Sequence, residues 1–167
     1  MINEQSISDE YNGVYLQKNG EQVIGSYFIK KQGGTLIAKS IGYTISRRTI
    51  LCTFFDSGLN YEVIKRSKGY FLILNEGEIV GSFKLAWTRS TIELRIHNHI
   101  YMFHSNDFGK TYKIRRNGEE VGVIGSPNWL EEDIRISLLK SENLEMIVLV
   151  VLGIAYDVCT SFFRFFK

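Results

Sequence analysis

Short alternations of apolar and polar residues run along most of the chain. Thr91-Ile-Glu-Leu-Arg-Ile96 and Asp133-Ile-Arg-Ile136 put every second side chain on one face. That is the period of a strand with one dry and one wet side. Comparable runs occupy Val14–Gln17, Gln22–Ile29, Thr35–Lys39, Thr49–Phe55, Tyr61–Lys65, Tyr70–Leu74, Ile79–Phe83, Ile100–His104, Tyr112–Arg116, Val121–Ile124 and Asp133–Leu138. Together they predict about a dozen strands of ordinary length. Turn signals return every ~8–12 residues, the spacing of an antiparallel sandwich or barrel. The one proline, Pro127, sits in Ser126-Pro-Asn128, where a missing N–H harms no ladder.

Three segments repeat one outline of aromatic strand, Asn/Gly/Glu turn, then Val or Ile with Gly. They centre on Asn19-Gly20, Asn75-Glu-Gly-Glu78 and Asn117-Gly118. Asn-Gly between two strand-like runs predicts a hairpin, because both central residues must reach positive φ. The turn asparagines are 56 and then 42 residues apart, so the repeat is three related hairpins and not a solenoid of fixed period. Gly25, Gly81 and Gly122 follow Val or Ile in each unit and are expected at a bulge or a close strand approach.

The pattern changes after Leu138. Met146–Tyr156 is apolar on every side, so a helix there must be buried in protein or in lipid. Ser141 or Asn143 can cap its start, and Glu142 and Glu145 suit the first turn. Leu144 to Arg164 would be roughly 31 Å long, enough for a membrane span. However, Asp157 ends an apolar run of only 11 residues, a length more typical of a core helix. A barrel too wide to be filled by its own side chains can be filled by one helix. Asp157 is expected to need partners at a barrel rim or from neighbouring strands and loops.

Composition narrows this picture further. With 167 residues, 44% hydrophobic and 23% charged, the chain suits one domain with a real core and not a disordered segment. Two cysteines, Cys52 and Cys159, make neither a disulfide framework nor a zinc pair. The N-terminal MINEQSISDE is polar and acidic, unlike a signal or transit peptide. The net charge is only +2, yet residues 27–68 hold 8 basic side chains against 2 acidic ones. Such a local excess suits anionic partners.

Reactive constellations are sparse. His97 and His99 would share a face of one strand, with His104 nearby, but no ligand set at diagnostic spacing joins them. Phe108-Gly109-Lys110-Thr111 lacks both the earlier glycine of a P-loop and a following helix. Glu119-Glu120 and Glu131-Glu132 read as solvated turn acids. Trp87, Trp129 and the other aromatics could stack on single-stranded nucleic acid, but they are assigned to barrel filling and helix packing. No catalytic residue, metal site, cofactor or specific nucleic-acid partner is expected.

The three Tyr…Asn-Gly-Glu…Val-Gly hairpins, the dozen strands, the terminal strand Asp133–Leu138 and the hydrophobic helix ending near Asp157 resemble the tubby C-terminal-like superfamily. Within it the chain looks most like the LURP-one-related and phospholipid scramblase-like branch. The resemblance implies a mainly β fold: a closed antiparallel barrel of about twelve strands threaded by a hydrophobic C-terminal helix. On that reading residues 1–10 form a tail and 11–167 one barrel domain, with its core helix at 142–166. Tubby domains bind phosphoinositides through basic side chains on the barrel. By charge, Lys30, Lys31, Arg47 and Arg48 are the nearest candidates here. The acidic calcium-binding segment of scramblases has no counterpart. The function expected is non-enzymatic binding of anionic phospholipid or a membrane surface, in a cytoplasmic protein that sits peripherally on the membrane. The alternatives are a protein-interaction module of inhibitor or immunity type and a tail-anchored membrane protein.

Overall fold

In a computed structural model, the structure describes residues 10–19, 25–42, 48–126, 128–129 and 132–165, with helix side chains described as far as Thr160. Twelve strands form in chain order: β1 (Tyr11–Lys18), β2 (Tyr27–Lys31), β3 (Leu36–Gly42), β4 (Thr49–Phe54), β5 (Asn60–Ser67) and β6 (Tyr70–Asn75), followed by β7 (Glu78–Leu85), β8 (Thr91–Ile96), β9 (His99–His104), β10 (Thr111–Arg116), β11 (Glu119–Gly125) and β12 (Ile134–Leu139). Each pairs antiparallel with its sequence neighbours, and β12 closes on β1 from Tyr11↔Leu139 to Leu16↔Ile134. Closure leaves no open sheet edge. Alternation sets the inner face. Ile92, Leu94 and Ile96 of β8 and Ile134, Ile136 and Leu138 of β12 are all buried.

One helix, α1 (Leu144–Phe165), follows. Asn143 caps it, its Oδ1 accepting from Met146 N at 3.2 Å. Ile147 to Leu152 have no exposed surface on any side, so the helix fills the barrel. No helix among the described residues is long and apolar enough to cross a membrane. At Gly153 a Cβ would run into the Phe83 ring. The glycine lets that ring, stacked on Phe71 at 4.7 Å, lie against the helix backbone.

The hairpins refine the repeat. Asn75↔Glu78 and Arg116↔Glu119 close two-residue turns. Glu76 (φ 51°) with Gly77 and Asn117 (φ 54°) with Gly118 take the positive-φ positions. The two asparagines are therefore not equivalent: Asn75 lies in the ladder, and the glycines mark the true register of the repeat. In both units a bulge precedes the next glycine, Gly81 or Gly122. A Cβ at Gly122 would lie 2.6 Å from Ser137 O. The first unit differs. Lys18 pairs with Tyr27, and Asn19 N donates to Ser26 O, so β1 and β2 are not joined by a two-residue Asn19-Gly20 turn. Gly20–Ile24 lie outside the described residues, and the strand expected from Gln22 begins at Tyr27. At the N-terminus, Glu10 O already accepts from Lys140 N, which starts the barrel one residue before Tyr11.

Strand directions define two mouths. The near mouth, where α1 begins, carries the turns after β2, β4, β6, β8 and β10 and the end of β12. The far mouth carries the connections after β1, β3, β5, β7, β9 and β11.

Candidate functional site

The near mouth holds the first turn of the helix through carboxylates. Glu142, 3% exposed, accepts two bonds from the Arg116 guanidinium at 2.8 Å and one from the Tyr101 hydroxyl at 2.7 Å. The Arg116 hydrogen bonds hold the Glu142 carboxyl below its usual range. Glu145 accepts from Ser57 Oγ and Tyr61 Oη. Burial first, then Glu145, pushes the Tyr61 phenol up to about 12. Negative charge at a helix N-terminus also suits the macrodipole. Around this mouth stand the exposed acids Glu10, Asp56, Glu76, Glu78, Glu119 and Glu120, with the exposed cations Lys31, Arg115 and Lys140 among them.

The far mouth also holds the helix through a carboxylate, but against the helix dipole. Asp157, toward the helix C-terminus, pairs with Lys65 at 3.3 Å and Arg89 Nε at 3.0 Å. Lys65 continues the inward face of β5 after Tyr61 and Val63, an unusual place for a lysine unless it is paired. Arg89 reaches down from the β7–β8 loop, with φ at 57°. Asp157 thus has the rim partners that its sequence position demands. Arg48, Arg66, Lys68 and Lys110 are exposed around this mouth. The described acids here are Asp107, Glu132, Asp133 and Asp157. Asp107 is occupied by Thr111 and Ser105, and the Thr111 hydrogen bonds draw its carboxyl down to about 2.

Of the four basic residues singled out from sequence, the three that are described do not form one patch. Lys30 stands on the outer wall, donating to Gln17 Oε1 at 2.9 Å and sharing the Phe28 ring with Lys39. Lys31 ends β2 at the near mouth, and Arg48 precedes β4 at the far one. Seven-residue β3 lies between those ends, a separation of roughly 20 Å. Arg47 lies outside the described residues, as do Pro127 and Glu131.

Other candidates separate as well. His97 occupies the β8–β9 turn with φ at 47°, while His99 and His104 lie at opposite ends of β9. Among the described residues no three His, Cys, Asp or Glu side chains could hold a metal ion. Both thiols are buried, and burial pushes Cys52 up to about 12 and raises Cys159. Trp129 is core, packed edge-on to Tyr112. Trp87, assigned to barrel filling from its residue type, is instead 87% exposed on the β7–β8 loop. Phe108, 97% exposed on the β9–β10 loop, was not distinguished from the core aromatics. The signal for both was their setting outside any alternating run. A groove of about 590 Å³ also crosses the outer wall over β1, β12 and β11, where Gly13, Gly125 and Ser137 supply little side chain.

No protein-family model matches the chain, and no curated protein matches it. The fold is similar to the X-ray structure of a protein from Arabidopsis thaliana, AT5G01750. The TM-score is 0.65 at 11% identity, covering 89% of this chain and 91% of that one. At that identity the likeness is one of fold.

Proposed function

We propose that this chain is a non-enzymatic binding domain for anionic phospholipid headgroups on a membrane surface. Its barrel is of the tubby-like kind, nearest the LURP-one-related and phospholipid scramblase-like branch. The twelve-strand meander and its axial helix are the architecture that this resemblance implies. The observation that carries the functional reading is the unequal charge of the two mouths. At the near mouth exposed acids outnumber the exposed cations Lys31, Arg115 and Lys140, whereas Arg48, Arg66, Lys68 and Lys110 ring the far one with no ion pair among the described residues. A domain charged in this way docks far mouth first on a negative surface. Each free cation near such a surface contributes about 1 kcal/mol. On this reading the ligand-binding set moves from Lys30 and Lys31 to the far mouth, and Arg48 is kept. The protein then works peripherally on the cytoplasmic face of a membrane.

Co-sedimentation tests the reading. The protein should pellet with vesicles containing phosphatidylserine at low salt, remain in the supernatant with pure phosphatidylcholine, and be released as salt screens the surface. Absence of binding to anionic vesicles at low salt overturns it. The outer-wall groove favours a second reading, a protein-interaction module. A protein partner lost in groove variants at Val123 and Arg135, with no lipid binding by the wild type, would select that one.

A further inference from the structure

Nine large apolar side chains are exposed among the described residues, and seven of them show 39–62% of their surface. Trp87 and Phe108 stand apart at 87% and 97%. They lie on adjacent loops of the far mouth. Ser105 N donates to Ser90 O at 2.8 Å, joining the two loops, and Tyr112 Oη of β10 donates to Arg89 O at 2.7 Å.

Both loops are rigidly built. Phe108 has φ at 61° and Gly109 at 84°, a conformation that costs a bulky residue energy. Side chains around it hold it there. Ser105 Oγ accepts from Gly109 N and donates to Asp107, which in turn takes Thr111 N and Oγ1. In the neighbouring loop Arg89 N bonds back to Ala86 O, and the Arg89 side chain is fastened to Asp157 in the core helix. The fold therefore holds two bare aromatic rings outward from a strained and braced base, both largely exposed among the described residues.

We propose that Trp87 and Phe108 are a paired membrane wedge that inserts between the headgroups of an anionic bilayer and seats the far mouth on it. This rests on the lipid-binding reading above and adds depth and orientation to it. Charge complementarity favours a bilayer as the occupant. Lys110 follows Phe108 by two residues, and Lys68 sits in the turn bonded to Leu85 at the base of the Trp87 loop. A protein hot spot would instead sit within a wider apolar patch, whereas these rings rise singly among cations and hydroxyls. Tryptophan at the headgroup level is a recurrent anchor.

The two tryptophans make the test direct, because Trp129 is buried and reports the fold while Trp87 reports the surface. Vesicles of phosphatidylcholine and phosphatidylserine, with and without brominated acyl chains, are mixed with wild type and Trp87→Ser. A blue shift and bromine quenching in wild type, absent in Trp87→Ser, is the expected result. Trp87→Ser/Phe108→Ser should weaken anionic vesicle binding roughly 30-fold, since affinity scales with inserted apolar area, and the melting transition should be unchanged. Wild-type binding without quenching, with the double variant binding equally well, overturns the wedge while leaving surface binding intact. No wild-type binding to anionic vesicles overturns both. Loss of a protein partner in the double variant, with vesicle binding unchanged, also overturns it.

Discussion

The two mouths of the barrel face the same physical problem and meet it with the same pairing, a carboxylate held by barrel cations. The helix dipole favours that carboxylate at one end and opposes it at the other. Each must hold one end of an apolar helix in place where the strand side chains run out. At the near mouth Glu142 and Glu145 are bound by Arg116, Tyr101, Ser57 and Tyr61, and the helix dipole reinforces them. At the far mouth the dipole works against Asp157, and Lys65 and Arg89 compensate. One end carries two acids, held by an arginine, two tyrosines and a loop serine. The other needs cations drawn in from a strand and a loop, in a rim that keeps further cations and two bare aromatics exposed. The comparison separates what holds the helix from what remains free to meet a partner.

The largest break removes what both mouths grip. Deleting residues 142–167 takes out Ile147–Leu152 and their neighbours, each worth about 1.5–3 kcal/mol when fully buried. The sum exceeds a typical domain stability of about 5–15 kcal/mol. The truncated chain should lose its cooperative melting transition by circular dichroism; an unchanged transition would mean the barrel stands without its helix.

A smaller break acts on the far mouth alone. Asp157→Ala leaves Lys65, 8% exposed, with no carboxylate beside it. Removing one partner of a buried pair costs about 3–5 kcal/mol, and the open side of the rim keeps this site at the low end. Asp157→Asn should cost less, because it still accepts hydrogen bonds. Urea unfolding should rank wild type, Asn, then Ala; equal midpoints would place Asp157 outside the helix anchor.

How far these regions can be read from sequence follows from how each is assembled. The strands and the helix announce themselves locally: alternation in Thr91–Ile96, an all-round apolar run in Met146–Tyr156, glycines at the turns. A mouth is assembled from turns scattered along the chain. The basic count over 27–68 therefore merged two ends of the barrel, because the chain reverses between Lys31 and Arg48. Asn75 matched the repeat by residue type but sits in the ladder, where Glu76 takes the positive φ. Trp87 and Phe108 share the residue types of the core, and only their flanks, Thr88-Arg89-Ser90 and Asp107 with Gly109, mark them as loop residues. Asp157 was legible because a carboxylate in an apolar helix needs partners wherever it lies, though nothing local names Lys65 or Arg89.

The smallest effect sharpens the near mouth through pH. The Arg116 hydrogen bonds lower the Glu142 pKa below its ordinary 4.5. A depressed carboxylate contributes fully above its unfolded pKa and loses that contribution as pH falls through the folded value. The melting temperature should therefore decline as pH drops below about 4.5, and Glu142→Gln should flatten that decline while lowering the plateau. An identical slope in the variant would remove Glu142 from the anchor.

Vesicle affinity compared across two charge-reversal sets tests the central claim most directly. One set reverses Arg48, Arg66, Lys68 and Lys110 at the far mouth, and the other reverses Lys30 and Lys31. At about 1 kcal/mol per cation, the far-mouth set should lower affinity for phosphatidylserine vesicles about 1,000-fold with the fold intact. The Lys30/Lys31 set should change it less than about 3-fold, because Lys31 faces the acidic mouth and Lys30 is held by Gln17. Equal losses in the two sets, or a greater loss in the Lys30/Lys31 set, would contradict the assignment of binding to the far mouth.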